Sequence, residues 1–332
     1  MSKPLTATVS TPEQTKPRAS DPDGFFRQFR KQLPFQIFVL LGIGFLLVFS
    51  YTPLFGILMA FKDYRITMGI QGIFTSSWVG LAYFREMVQD YNFPTLVRNT
   101  IELSLLKLVF SFPVPVLLAV MLNEVRRSAV KRFVQTASYL PHFISWVVVS
   151  GIATALFSAD SGLVNDLLMS LHLIKKPLEV LTDPDSFMSL AVVSAVWKET
   201  GWWTIIFLAA IAGIDPQLYE AAAMDGAGRL KRIWHITLPG MKSAIVVMLI
   251  LAIGNILGGG LAGSNFEQAV LFGNPLNSDK SQILQSYAFN VGLAQGRFAF
   301  ATAIDLVQSA IALVLMLSAN SAAKRFSGSG LY

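Results

Sequence analysis

Glu220-Ala221-Ala222-Ala223-Met224-Asp225-Gly226, followed after nine residues by Ile236-Thr237-Leu238-Pro239, is the stretch that decides how this chain reads. It is a polar, helix-forming island between two strongly apolar segments, and it predicts a docking element at a membrane face. Asp215 supplies an N-cap and Pro216 the first helical position, where a missing N–H costs nothing, and Leu218 to Met224 are good helix formers. Gly226 permits a sharp reversal. A second short helix is expected from about Ala227 to His235, carrying Arg229, Lys231 and Arg232, with Pro239 stopping it before the next apolar run. A lone Glu-Ala-Ala triplet fits an ordinary amphipathic connector on the bilayer surface. The full spacing, with apolar runs on both sides, favours a helix-turn-helix projecting from the membrane.

Outward from this loop, composition sets the class. The chain has 332 residues, 53% hydrophobic and 14% charged, with a mean hydropathy of +0.55, which places it among polytopic membrane proteins. Six spans are expected, over about 35–61, 101–122, 134–157, 187–212, 241–262 and 299–319, so the fold class is all-α integral membrane. The second span carries Glu102, Lys107, Pro113 and Pro115 and is expected to kink and pack inside the bundle instead of facing lipid. Residues 1–22, rich in Thr, Pro, Ser and Lys, read as a disordered tail with no secretory signal peptide before them. Phe25, Phe29 and Leu33, four residues apart with basic residues between, suggest an interfacial helix over 23–34. Residues 323–332 read as a second tail.

Charge orients the spans. With the N-terminus inside, cytoplasmic segments hold sixteen of the 26 Lys and Arg residues and outer segments eight, while Lys107 and Lys198 lie within spans. Both termini and the 213–239 loop are therefore expected in the cytoplasm. The net charge of +6 is explained by residues flanking spans, not by a basic face for nucleic acid. Cysteine is absent, so no disulfide, thiol nucleophile or Cys-based metal site is expected, and His142, His172 and His235 lack metal-ligand spacing. His142, after Pro141, is expected at a helix start.

The loop spacing resembles, without a mismatch, the signature of permease subunits of bacterial ATP-binding-cassette importers. Further segments, including Trp78-Val79-Gly80-Leu81, Arg132-Phe133-Val134-Gln135-Thr136, Tyr139-Leu140-Pro141-His142-Phe143-Ile144-Ser145-Trp146 and Asn265-Phe266-Glu267-Gln268, resemble the LplB-type branch of carbohydrate importer permeases, from residue 35 to the C-terminus. That branch is similar in role to the larger membrane subunit of the maltose importer and serves oligosaccharide or polysaccharide uptake, uronate polymers such as alginate included. The resemblance implies a six-helix type I importer permease fold in the bacterial cytoplasmic (inner) membrane. It also implies partners: a second homologous permease subunit, a dimer of ATPase subunits and an extracytoplasmic solute-binding protein. Glu220, Ala221, Ala222, Asp225, Gly226, Leu238 and Pro239 would belong to the coupling element that fits a groove in the ATPase. The chain has no Gly-x-x-x-x-Gly-Lys-Ser/Thr loop, so it is expected to bind no nucleotide itself, with ATP and Mg on the partner ATPase. The segment from Asn265 to Pro275 would form a gate facing the binding protein.

Sugar sites combine aromatic faces with a few hydrogen-bonding groups, and the densest such cluster is Trp197, Lys198, Glu199, Thr200, Trp202 and Trp203 in the fourth span. Charges within a span are costly and mark a functional region by default, although packing against a partner or bridging between helices explains the same residues equally well. Lys198 and Glu199 are adjacent and do not share a helical face, so no pairing is expected between them. Asn255, Asp305 and Gln308 are further candidates. Gly258-Gly259-Gly260 predicts unwinding or close backbone packing rather than a phosphate loop. Two other classes fit the residues less well. A membrane-embedded transferase would need paired carboxylates or a metal site, and none is visible. An ion-driven secondary transporter would leave the Glu-Ala-Ala loop unexplained; an importer of a non-sugar solute is the nearer alternative.

Overall fold

A computed structural model describes residues 22–327, so the tail expected at 1–22 and the last part of that expected at 323–332 lie outside the described residues. Helices make up the described chain, and the one pairing of extended type among the described residues is an isolated bridge between Lys62 and Trp78. Among the described residues, three helices are long and apolar enough to cross a membrane: Phe35–Phe61, Phe93–Glu124 and Phe298–Arg325. Three more spans arise if each of three bent helix pairs is counted as one.

Two compact units divide at Gly56. In the first, α1 (Pro22–Leu46) runs without a break from the region expected as an interfacial helix into the span, so 23–34 is the first half of one helix. Its span is apolar on all sides, with Phe35, Phe38, Phe45 and Phe49 exposed, as a lipid-facing helix requires.

The second unit begins with a folded outer segment. Lys62 Nζ donates to the Phe74 carbonyl, the Phe61 and Trp78 rings stack at 5.4 Å, and α2 (Ala82–Gln89) follows. The second span is α3 (Phe93–Ser111) with α4 (Pro113–Glu124). Phe112 stays helical at the junction (φ −77°, ψ −46°), so both prolines sit in a helical first turn where they are tolerated. Leu96, Leu103 and Leu122 are buried, but Val109, Phe110 and Met121 are exposed; the span is half interior and half surface, which corrects the expectation of full enclosure.

The expected third span is not one helix. α5 (Ser128–Tyr139) runs through a 3-10 turn, Leu140–Phe143, and then turns by 104° into α6 (Trp146–Phe157). Pro141 lacks the N–H a straight helix needs, and Ser145 restarts the ladder by accepting from the Val148 N–H at 3.4 Å. His142 therefore ends a limb where a start was expected.

α7 (Pro184–Ala212) is the central element, packing on α3, α4 and α5. Ala191, Ala195 and Phe207 on it are wholly buried. A Cβ at Gly201 would lie 2.0 Å from the Ser138 carbonyl oxygen, so α5 and α7 touch backbone to backbone there. α8 (Pro216–Met224) and α9 (Arg229–Arg232) form the loop. α10 (Lys242–Gly254) ends eight residues before the expected boundary at 262, because Gly259 (φ +109°) and Gly260 (φ +63°) unwind the chain. α11 (Asn265–Leu271), α12 (Leu284–Phe289) and α13 (Phe298–Ser327) complete the unit, with α13 continuing into the region expected as a tail.

Candidate functional sites

The 213–239 loop, expected to couple to an ATPase, is the first candidate site. Asp215 caps α8 by accepting from the Gln217 N–H at 2.9 Å, with Pro216 next, as the sequence predicts. Gly226 has φ +74°, a conformation that Cβ-bearing residues rarely adopt. No residue of α8 is buried, and Glu220, Ala221 and Asp225 are exposed while Ala222 is half-buried. The second helix departs from expectation. It starts at Arg229, and Pro239 does not stop it: a π-turn over Ile233–Thr237 leads into a helical turn at Leu238–Gly240. The wider turn leaves the proline's missing N–H without a required acceptor. The loop is anchored at its base by Tyr219 OH and Thr237 Oγ1 at 3.0 Å, and Leu238 packs on the cluster of Phe207 and Met241. Its outer face stays bare, with Leu230 73% and Trp234 67% exposed.

The second site lies where the third span breaks. Lys198 and Glu199, both buried, do pair: Lys198 Nζ stands 2.9 Å from Glu199 Oε1 and donates to the His142 carbonyl at 2.8 Å, while His142 Nδ1 stands 2.7 Å from Glu199 Oε2. Adjacency on a helix gives no reason to assume this pairing; it forms where the broken helix brings His142 to both. Trp202 stacks on the His142 ring at 4.4 Å, and Lys198 Nζ lies 5.4 Å from the centre of the Trp146 ring. A buried pair is held only when its remaining polar atoms are also engaged, which is the arrangement here. The cluster ties the third span to the fourth.

The other candidates separate. Trp203 packs in the core with Phe207. Trp197 lies with Thr200 and Gly201 in an apolar groove against Phe133 and Pro141. Asn255 Nδ2 donates to the Gly260 carbonyl at 3.0 Å and so caps the unwound turn. Gln308 is buried with both amide atoms unpartnered. Asp305 is exposed in a cleft lined by Phe266, Phe289 and Phe298. No group of three His, Asp or Glu side chains that could hold a metal occurs among the described residues.

Sequence reasoning missed two groups. His142 was read as a helix start without metal-ligand spacing and given no bonding role; a histidine beside a proline inside an apolar run was the available signal. Lys107, 1% exposed, donates to Ser264 Oγ at 3.1 Å and reaches the unwound end of the fifth span. Asn265 Nδ2 bonds Ser104 Oγ and the Leu257 carbonyl, each at 3.1 Å, and Gln268 Nε2 bonds the Ala191 carbonyl at 2.7 Å. The segment that the sequence suggests as a gate is thus anchored to α3 and α7.

Apolar helices joined by a capped, uncovered loop over 213–239 and by a collar over 255–297 that is braced on α3 and α7 fit a membrane transport component. Residues 111–327 match the family model described as binding-protein-dependent transport system inner membrane component, and the chain belongs to that family. It is 44% identical to Protein LplB of Bacillus subtilis (strain 168) over 291 residues, 88% of each chain. It is also 44% identical to the polygalacturonan/rhamnogalacturonan transport system permease protein YteP of the same organism, over 89% of each. A crystal structure of a bacterial ABC transporter involved in the import of the acidic polysaccharide alginate contains a chain that superposes with a TM-score of 0.81 at 34% identity, covering 92% of this chain and 99% of that one. This chain is accordingly an inner-membrane component of a binding-protein-dependent transport system, with the type I importer permease fold.

Proposed function

We propose that the chain is one of two permease subunits of an ATP-driven importer carrying an oligo- or polysaccharide across the cytoplasmic membrane. ATP and Mg bind and react on a partner ATPase dimer, and both termini and the 213–239 loop face it. The observation that carries this reading is the coupling loop: a capped helix with no buried residue, reversed at a left-handed Gly226 and flanked by bare Leu230 and Trp234. Exposed apolar side chains beside a solvent-facing carboxylate are what a docking helix offers to a groove with a basic rim. Rigid-body movement of the docked loop is transmitted through Tyr219, Thr237 and the core around Met241 to the fourth and fifth spans. The saccharide assignment is supported by the polysaccharide transport carried out by YteP and the alginate importer.

Reconstitution with the neighbouring permease, ATPase and binding protein tests it. Saccharide-stimulated ATP hydrolysis that disappears in Glu220→Ala is the expected result. If no ATPase assembles with the chain, an ion-driven transporter takes the lead; stimulation by a non-sugar solute alone would overturn the substrate class.

A further inference from the structure

Lys198, Glu199, Thr200 and Asn255 on the fourth and fifth spans each hydrogen-bond within the chain, and Asp305 does not. Among the described residues no hydrogen bond or ion pair engages its carboxylate. It lies two turns below the outer end of α13, in a cleft of about 480 Å³ between α11, α12 and α13. That volume falls within the range of small-molecule sites. Phe266 and Phe289 meet edge to face at 5.1 Å in its wall, and Phe298 adds a third ring. Gln285 lines the same cleft and its Oε1 is buried without a partner. Thr302 stands one turn from Asp305 on the same helix.

We infer that this cleft is a saccharide subsite that takes an uncharged glycosyl unit, a reading that rests on the importer function proposed above. The charged group left open is an acceptor, the carboxylate of Asp305. Sugar hydroxyls supply the matching donors, and hydrogen bonds to an ionised acceptor are the stronger kind. The phenylalanine rings offer apolar surface to pyranose CH groups. A uronate unit would instead set its carboxylate against Asp305. No basic side chain lines the cleft to offset that, and the nearest arginine, Arg297, is engaged by Glu86 at 2.5 Å and by the Phe300 ring. Like charges in a low-dielectric site exclude each other. An intramembrane carboxylate without a partner is retained where it faces a cavity or pathway.

The absence of cysteine makes the test clean. Thr302→Cys, or Leu293→Cys if that variant assembles poorly, puts a single thiol of this chain in the cleft of the importer in proteoliposomes. A water-soluble cationic methanethiosulfonate is expected to react about tenfold faster than an anionic one, the factor set by one nearby carboxylate, and Asp305→Asn is expected to equalise the two. Neutral arabino-, xylo- or malto-oligosaccharides are expected to slow the labelling, and oligogalacturonates are not. Asp305→Asn is further expected to raise the half-saturating concentration of the protecting sugar about tenfold. Three results would each overturn the inference: no labelling in the complex, meaning that lipid or the second permease covers the cleft; protection by oligogalacturonate as good as by any neutral sugar; or no effect of Asp305→Asn. Labelling reads the cleft whether or not ATP hydrolysis couples, so its failure is distinct from failure of Glu220→Ala to uncouple the importer.

Discussion

The 213–239 loop and the collar over 255–297 are both irregular segments between spans, yet they are built in opposite ways. The loop over 213–239 is held by near neighbours: Asp215 to Gln217 and Tyr219 to Thr237. The collar is held across the whole sequence. Asn99 Nδ2 donates to the Asp279 and Gln282 carbonyls at 2.8 and 2.9 Å, Tyr287 OH donates to Asp90, and Asn274 and Asn277 both donate to the Leu181 carbonyl. One region keeps its surface open for a partner and the other closes on itself. A segment that must hand force to another chain cannot also satisfy its own surface.

Substitutions in the two regions should therefore separate function from stability. The largest effect is expected from Gly226→Pro. Proline requires φ near −65° against the observed +74°, and it removes the N–H that donates to Ala223 at 3.1 Å. Sugar-stimulated ATP hydrolysis should fall at least about a hundredfold, the equivalent of ~3 kcal/mol, while the thermal midpoint of the spans stays in place. A matching fall in thermal stability would break the distinction. Asn99→Ala should do the converse. It strands two carbonyls in a buried site and should cost about 2 kcal/mol of stability, read as a lowered thermal midpoint, with coupling per assembled complex retained. Arg297→Gln removes a half-exposed pair with Glu86 and should cost no more than ~0.5 kcal/mol, because solvent screens it. A loss above about 2 kcal/mol would mean that the collar rests on its charges and not on its amides.

The smallest effect is a titration. Burial first, and then the bond to Asp90, push the Tyr287 phenol up to about 12 from 10.0. Its protonated form is the one stabilised, so this contribution is complete below about pH 10 and is lost as pH rises toward 12. Limited proteolysis of the collar should accelerate in that window, and Tyr287→Phe should remove the dependence. An unchanged profile in the variant would place the bond outside the collar's stability.

The apolar runs and the capped helix with its reversal at 215–226 were legible because they rest on local signals: hydropathy, an N-cap, a proline and a glycine. The second helix of the loop was misjudged at Pro239 because a π-turn is a tertiary accommodation with no composition of its own. The third span misled for a related reason. Residues 134–157 are apolar enough to cross, and the bend at Pro141 depends on what waits beside it on α7. The substrate candidates were the least legible. Lys198, Glu199 and Trp202 looked available because their partners, His142 and Trp146, lie more than fifty residues away. Asp305 drew no special weight in sequence, and only the structure distinguishes it by what it lacks.

The break in the third span also fixes how that span relates to the bilayer. Its straight limb, Trp146–Phe157, has twelve residues and rises about 18 Å, whereas the hydrocarbon layer is about 30 Å thick. It has no length with which to match the lipid. Its height is set instead by what grips it: the Glu199 cluster at the bend and the contact of the Ser138 carbonyl with Gly201. The third and fourth spans thus travel as one lever, and the lipid has no separate purchase on the third.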